Sequence, residues 1–191
     1  MNFLYKKHPK GSYEYANYKK KVDVVVMIVL FALALGIFCI GYFSTGTKAN
    51  LLSVIAVLGL LPACKQVVAV IMSMRVKACD IDTKEKLDSH LGELFGMYNL
   101  YFTSYDKNFA LTHLVVMDKQ IICLASDKNF KEKEFIEHLS ELILKEGVKD
   151  SFLKVFTDVE KYVNRLDELN NLETVKMANG EIVNLICNVT I

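Results

Sequence analysis

The pattern of apolar and polar positions divides the chain into two parts. From residue 22 to residue 43 the only charged side chain is Asp23, and from residue 51 to residue 74 it is Lys65. Each run, as a helix rising about 1.5 Å per residue, can cross roughly 30 Å of hydrocarbon. The polar stretch between them, residues 44–50, is short. The pattern therefore predicts a tight antiparallel transmembrane hairpin over residues 22–75.

The first apolar run is not typical of a signal peptide. Its apolar part exceeds the usual 7–15 residues, and no pattern of small residues for cleavage follows it. We therefore expect both spans to remain in the mature protein.

The orientation of the hairpin follows from its flanking charges. Residues 1–21 hold six lysines against one acid, Glu14, a net charge of +5. Positive flanking segments are retained in the cytoplasm, so we expect a multi-pass protein of the inner (plasma) membrane with both termini cytoplasmic. The same lysines are candidates for contact with anionic lipid headgroups. They are Lys6, Lys7, Lys10, Lys19, Lys20 and Lys21.

Lys65 and Gln66 interrupt the second apolar run and are candidate interface or functional residues. If depth in the membrane runs symmetrically along the two spans, Lys65 lies a few residues deeper than Asp23. The flexible lysine side chain can carry its ammonium group that far, to the Asp23 carboxylate. We expect Lys65 to be an interfacial anchor paired loosely with Asp23. Two alternatives stay open: a functional cation inside the membrane, and a span that ends at Cys64.

Small residues recur at helical spacing in both spans, where they favour close approach of two helices in lipid. They indicate the hairpin's own interface or, alternatively, a contact with a second copy or a larger membrane partner. These candidate packing residues are Ala32, Gly36, Ser53, Ala56, Gly59 and Ala63.

Residues 76–191 form a second region of opposite charge, with 14 Lys/Arg against 20 Asp/Glu and a net of −6. An acidic surface repels nucleic acid, which makes a nucleic-acid partner unlikely on charge grounds. Apolar periodicity and turn signals predict a cytoplasmic α+β domain of order α-β-β-β-α-α-β-β. The elements are a helix over 82–98, a strand over 99–105, two strands joined at Asp118-Lys119, helices over 130–147 and 150–170, and a hairpin around Asn179-Gly180.

Residues 84–128, and 112–128 in particular, resemble the nuclease-related domain of the restriction-endonuclease-like fold, whose core is a helix, three strands, a helix and a strand. His113 and the apolar strands on either side of the turn match. The catalytic positions do not, because Thr112 stands where the family has Asp, and Ala125 and Asp127 stand where it has Glu and Lys. The resemblance implies a nuclease-like fold without metal-assisted hydrolysis.

Other constellations carry little chemistry. Glu134, His138 and Glu141 share one helix face and could hold a metal, but such a face is more often simply solvated. The five cysteines have neither the spacing of a zinc site nor that of a disulfide framework. We therefore expect no catalytic residue, metal or cofactor.

These observations favour a membrane-anchored binding or scaffold domain without enzymatic activity, in contact with lipid and with a protein partner or a second copy. Two alternatives stay open. One is a membrane-tethered, nuclease-like domain, and the other is a small accessory subunit of a transporter or channel.

Overall fold

The computed structural model describes residues 8–104, 107–127, 129–148, 150–172 and 177–190. Within these residues the chain divides into two compact units. One unit holds residues 17–75. The other combines residues 8–16, which we call the N-terminal strap, with the region that begins at residue 76. We refer to these as the helical unit and the domain.

Two long apolar helices make up the helical unit: α1 (Tyr15–Thr45), whose first two residues belong to the strap, and α2 (Leu51–Arg75). Their 31 and 25 residues give lengths of about 46 and about 38 Å. In the most apolar stretch of each helix only 11% and 22% of the residues are buried. Both helices are thus long and apolar enough to cross a membrane, and both expose most of their apolar side chains.

The turn between the helices is closed by local contacts. Gly46 adopts a left-handed backbone conformation, with φ +66°. The Asn50 carboxamide oxygen accepts a hydrogen bond of 2.7 Å from the Ser53 amide, which caps the start of α2. A Cβ added at Gly41 would lie 2.7 Å from the Leu52 Cβ, so the helices approach closely beside the turn.

A four-stranded sheet forms the centre of the domain. Its order is β1-β2-β3-β4, antiparallel except for β4, which pairs in parallel with β3. The elements are α3 (Ile81–Leu91), β1 (Phe95–Thr103), β2 (Asn108–Met117), β3 (Gln120–Ala125), α4 (Glu132–Lys145), β4 (Phe152–Phe156), α5 (Val159–Asn170) and α6 (Gly180–Val189).

The sheet is buried on both faces. Leu114 and Val116 of β2 lie on the sheet face that α4 and α6 cover, and they pack there with residues such as Leu139 and Ile186. On the other face, residues including Val115 pack against α3 and α5. This double burial explains why strands β2 and β3 are nearly continuous apolar runs.

Two predicted features are confirmed. The turn between β2 and β3 lies at Asp118-Lys119, with Asp118 at φ +48° and Met117 paired with Gln120. Helix α4 lies within the predicted range, and Gly147, at φ +87°, follows its end.

The predicted helix over 82–98 is too long. Helix α3 ends at Leu91, and Gly92 follows it at φ +57°. Phe95 and Tyr98, which continue the helical spacing, belong instead to β1 and pair with Val116 and His113. The sheet register overrides the local period here, because these pairings bury the strand against the core. For the same reason the predicted strand over 99–105 begins earlier, at Phe95.

The predicted helix over 150–170 is in fact a strand followed by a helix. Residues 152–156 pair with β3, and Asp158 then starts α5 by accepting a hydrogen bond of 2.9 Å from the Glu160 amide. Asp158 is thus an N-cap between two elements, which the spacing of apolar residues alone does not reveal.

The predicted C-terminal hairpin is wrong, because residues from Gly180 form helix α6. The Asn179 side chain caps it, accepting hydrogen bonds from the amides of Glu181 and Ile182 at 3.0 and 3.5 Å. Ile182 and Ile186, one turn apart, are buried in the core. The observed order is therefore α-β-β-β-α-β-α-α.

Candidate functional site

A polar pocket of about 290 Å³ opens in the domain where the parallel strands β3 and β4 end. Crevices at the carboxyl ends of parallel strands are frequent ligand sites in α/β proteins. Five segments supply its walls: the connector after α2, the first turn of α3, a residue of β2, and the residues after β3 and β4. Its polar side chains are Lys77, Asp80, Thr83, Thr112, Ser126, Asp127 and Thr157.

An irregularity in the sheet contributes Thr112 to the pocket. Leu111 pairs with Ala125 and His113 pairs with Leu124, so Thr112 is an extra residue in β2. Such bulges redirect a side chain, and here the Thr112 hydroxyl lies 3.0 Å from that of Ser126.

The charged groups of the pocket are only weakly engaged. The Lys77 ammonium lies 3.7 Å from an Asp127 carboxylate oxygen, and both side chains are about 70% exposed. An exposed ion pair of this kind contributes little to stability, so both groups can turn to a ligand. Asp80 is committed to the helix, since it accepts a hydrogen bond of 3.0 Å from the Thr83 amide.

The thiol of Cys79 also lines the pocket. Burial, with added repulsion from Asp80 and Asp88, raises its pKa to about 11. It is therefore protonated at neutral pH and is a poor nucleophile. Ammonium, carboxylate and hydroxyl groups remain, which suit the binding of a small polar ligand.

Three of these positions are those compared with the nuclease-related family. Thr112 and Asp127 line the pocket, and so does Ala125. At the two positions that the sequence resemblance aligns with metal-binding carboxylates, this chain carries a hydroxyl and a methyl group.

His113 is not part of the pocket. It is fully buried, and its Nδ1 lies 2.8 Å from the Tyr162 hydroxyl. Burial lowers its pKa to about 3, which keeps the ring neutral. Its Nε2 is buried against Gly96, where an added Cβ would come within 2.5 Å. His113 is a core residue of the sheet, and sequence analysis could not show which residue it contacts.

The helical unit brings Asp23 together with Gln66. The Asp23 carboxylate, 3% exposed, accepts a hydrogen bond of 3.3 Å from the Gln66 amide and pairs at 3.1 Å with Lys19. Lys65 is exposed. Successive helical residues lie about 100° apart, so only one of this pair can face α1. The structure gives that place to Gln66, on the same face as Ala63.

The small residues of the spans have different surroundings. Ala56 and Ala63 are buried in the hairpin, and a Cβ at Gly59 would lie 3.9 Å from Ala34. Ser53 is partly buried beside the turn. Ala32 is exposed, and a Cβ at Gly36 would have no neighbour within 4 Å among the described residues.

The candidate lipid-contact lysines also differ. Lys10 donates to the carbonyl groups of Cys187 and Thr190 at 2.8 and 3.1 Å, and Lys19 pairs with Asp23. Lys20 is partly buried and Lys21 is exposed. Lys6 and Lys7 lie outside the described residues.

The helix face considered for a metal is engaged otherwise. Glu134 pairs with Lys107 at 2.7 Å and with Lys131 at 3.5 Å, while the ring of His138 stacks on Phe109. Across the part of the chain that the structure describes, no three His, Cys, Asp or Glu side chains are grouped as a metal site.

Comparison of the chain with family models, with curated proteins and with solved structures finds no significant match. The polar pocket and the helical pair of Asp23 and Gln66 are therefore defined by geometry alone. The sequence patterns point to Asp23 and Gln66 but not to the pocket, whose lining residues lie up to 82 positions apart, from Lys77 to Val159.

Proposed function

We propose that this chain is a membrane-anchored binding domain on the cytoplasmic face, in which the polar pocket takes a small polar ligand or a polar side chain of a protein partner. The observation that carries the proposal is the pocket at the ends of β3 and β4, with an ammonium and a carboxylate held only by a long, exposed ion pair. The two apolar helices support membrane attachment.

The charges flanking the helices support the cytoplasmic orientation. Lys20 and Lys21 lie near the start of α1, and Arg75 lies at the end of α2. The strap and residues from 76 onward share one compact unit, which fits a hairpin whose two ends emerge on the same face.

The test is copurification from membranes of the native host in mild detergent, using the full chain. Asp127→Lys reverses the charge at the pocket mouth, where the side chain is largely exposed, so the fold should survive. We expect this variant to lose partners or small molecules that the native chain retains. Glu146→Lys, an exposed change just after α4, is the matched control. Equal retention by both variants would rule out the pocket as the binding site.

A second candidate, a nuclease-like domain without activity, is supported by one observation. The order α3-β1-β2-β3-α4-β4, with β4 parallel to β3, reproduces the helix, three strands, helix and strand of that family's core. Incubation of the purified chain with DNA and RNA in Mg²⁺ or Mn²⁺ tests it. Cleavage that disappears in Asp127→Asn would make the domain an enzyme.

A further inference from the structure

The N-terminal strap binds the edge of β1 that faces away from β2. The Tyr98 amide donates a hydrogen bond of 2.8 Å to the Gly11 carbonyl, and the Asn99 side chain donates one of 3.0 Å to the Tyr13 carbonyl. An uncovered sheet edge is a site of unwanted pairing. The strap therefore covers an edge that residues from 76 onward would otherwise expose at these positions.

Asn99 joins the strap to the connector that follows α2. It is 3% exposed and has φ +55°, and its carboxamide oxygen accepts a hydrogen bond of 2.7 Å from the Cys79 amide. The Tyr13 hydroxyl donates to the Cys79 carbonyl at 2.9 Å. One strand residue thus fastens two segments that lie far apart along the chain.

The strap also caps α6. The Lys10 ammonium donates to the Cys187 and Thr190 carbonyl groups, at the end of that helix. A cation at this place satisfies carbonyl groups that lack helical partners and interacts favourably with the helix dipole. The strap therefore contacts both β1 and the last helix of the domain.

Gly11 makes this approach possible. Its φ of +86° is one that residues with a side chain rarely adopt, and a Cβ there would lie 2.7 Å from the Met97 Cγ. Met97 is 1% exposed and belongs to the core, so it has little room to move.

The two domain residues that flank the helical unit in sequence meet on β1. Ala16, the last residue of the strap, and Val76, the first residue after α2, are buried together with Tyr101. The hairpin thus leaves the domain and returns to it at one place. In folding terms it is an insertion between residues 16 and 76 of a single domain.

We propose that the strap is an integral part of the domain and that residues 76–190 reach full stability only with the strap in place. Because the strap precedes the hairpin and the rest of the domain follows it, this contact forms only when both ends of the hairpin emerge on the same face of the membrane. The domain therefore stabilises chains with two inserted spans over chains with one. The contribution of the strap to stability does not depend on what the polar pocket binds.

The experiment uses the full chain in mild detergent and measures how fast a thiol reagent labels Cys123, resolved by mass spectrometry. Cys123 is fully buried in the sheet core, so it reacts when the domain opens. In the limit of fast opening and closing, its labelling rate reports the population of open domain. The helices in detergent do not contribute to this signal.

The test compares three substitutions. Gly11→Val prevents the strap from sitting on Met97, and we expect labelling at least tenfold faster than in the native chain. Tyr13→Phe removes one hydrogen bond, and an increase of about three- to tenfold is expected. Gly46→Val is the matched control, since Gly46 also has a positive φ but lies in the turn of the helical unit with open space around it.

The labelling rates of these variants distinguish a domain that needs the strap from one that does not. Native labelling rates in Gly11→Val would show that the domain is independent of the strap and would overturn the proposal. Equal acceleration by Gly46→Val would overturn it too, since the effect would then arise from any strained glycine. If Gly11→Val does not accumulate, Tyr13→Phe decides alone, and an unchanged rate in it counts against the strap.

Discussion

Acid should destabilise the domain through one buried histidine. His113 is fully buried, and its ring contacts those of Tyr98 and Tyr162. Attraction to the Asp88 carboxylate favours the protonated ring, but burial outweighs it. Protonation would place a charge in the core, where Nε2 has no hydrogen-bond acceptor among the described residues.

The size of the effect follows from the pKa of His113. Its value of about 3 in the folded state lies below the usual 6.5, so the folded state favours the neutral ring. The corresponding stability is complete above pH 6.5 and is lost as the pH falls from 6.5 toward 3. The loss grows as the pH falls below 6.5 and is on the order of 3 kcal/mol at pH 4.5. Carboxylates with a lowered pKa in the folded state, such as Asp80 beside the Thr83 amide, also lose stability in acid, but only as the pH falls toward and below their usual value of 3.8.

The assay is unfolding of the full chain by urea in detergent, at a series of pH values between 7.5 and 4.5. The extent of Cys123 labelling measures the unfolded fraction. A double change, His113→Leu with Tyr162→Phe, removes both hydrogen-bond partners together and leaves no orphaned hydroxyl. Its free energy of unfolding should vary less with pH than that of the native chain, by roughly 3 kcal/mol over the range. His138→Leu, on the partly exposed face of α4, should keep the native dependence. Identical pH dependence in the native chain and the double variant would refute the reasoning.

Three further predictions concern the hairpin. A cysteine at Thr47, in a chain without its native cysteines, should react with an impermeant thiol reagent from outside intact cells; labelling near a terminus instead would reverse the proposed orientation. Gln66→Leu removes the hydrogen bond to Asp23 and should lower the free energy of unfolding of the helical unit in detergent by about 1–3 kcal/mol, whereas Lys65→Leu should have little effect. The reverse order would assign Lys65 a structural partner. Replacing residues 17–75 by a flexible linker of about six residues should yield a water-soluble domain that protects Cys123 better than residues 76–191 alone, and equal protection would contradict the role of the strap.

Part of the fold could be predicted because its signals are local. The two long apolar helices follow from runs of residues that contain a single charge each. The β2–β3 turn follows from two polar residues between apolar strands, and the end of α4 from Gly147. In each case the residues that determine the structure are close together along the chain.

The remaining elements could not be assigned locally, since the same residues fit two structures. Asn179-Gly180 is a strong hairpin signal, yet asparagine is equally favoured as a helix N-cap. The burial of Ile182 and Ile186 against the sheet decides for the helix. Similarly, Phe152 and Phe156 share a helical spacing, but pairing with β3 makes them a strand. Tertiary contacts chose between the alternatives in both cases.

The strap shows why composition alone does not identify the folding unit of this chain. The apolar and charged stretches divide the chain into a basic tail, a pair of apolar helices and an acidic region, and these boundaries mark changes in hydropathy and charge. They do not mark which segments fold together. Lys10 fits a lipid-binding tail by charge, yet it donates to carbonyl groups 177 and 180 positions away. Glycine is required at residue 11 by its backbone conformation, φ +86°, and by the close approach of Met97, a residue of β1. The unit that folds is therefore a domain interrupted in sequence by two long apolar helices, and its first segment precedes them along the chain.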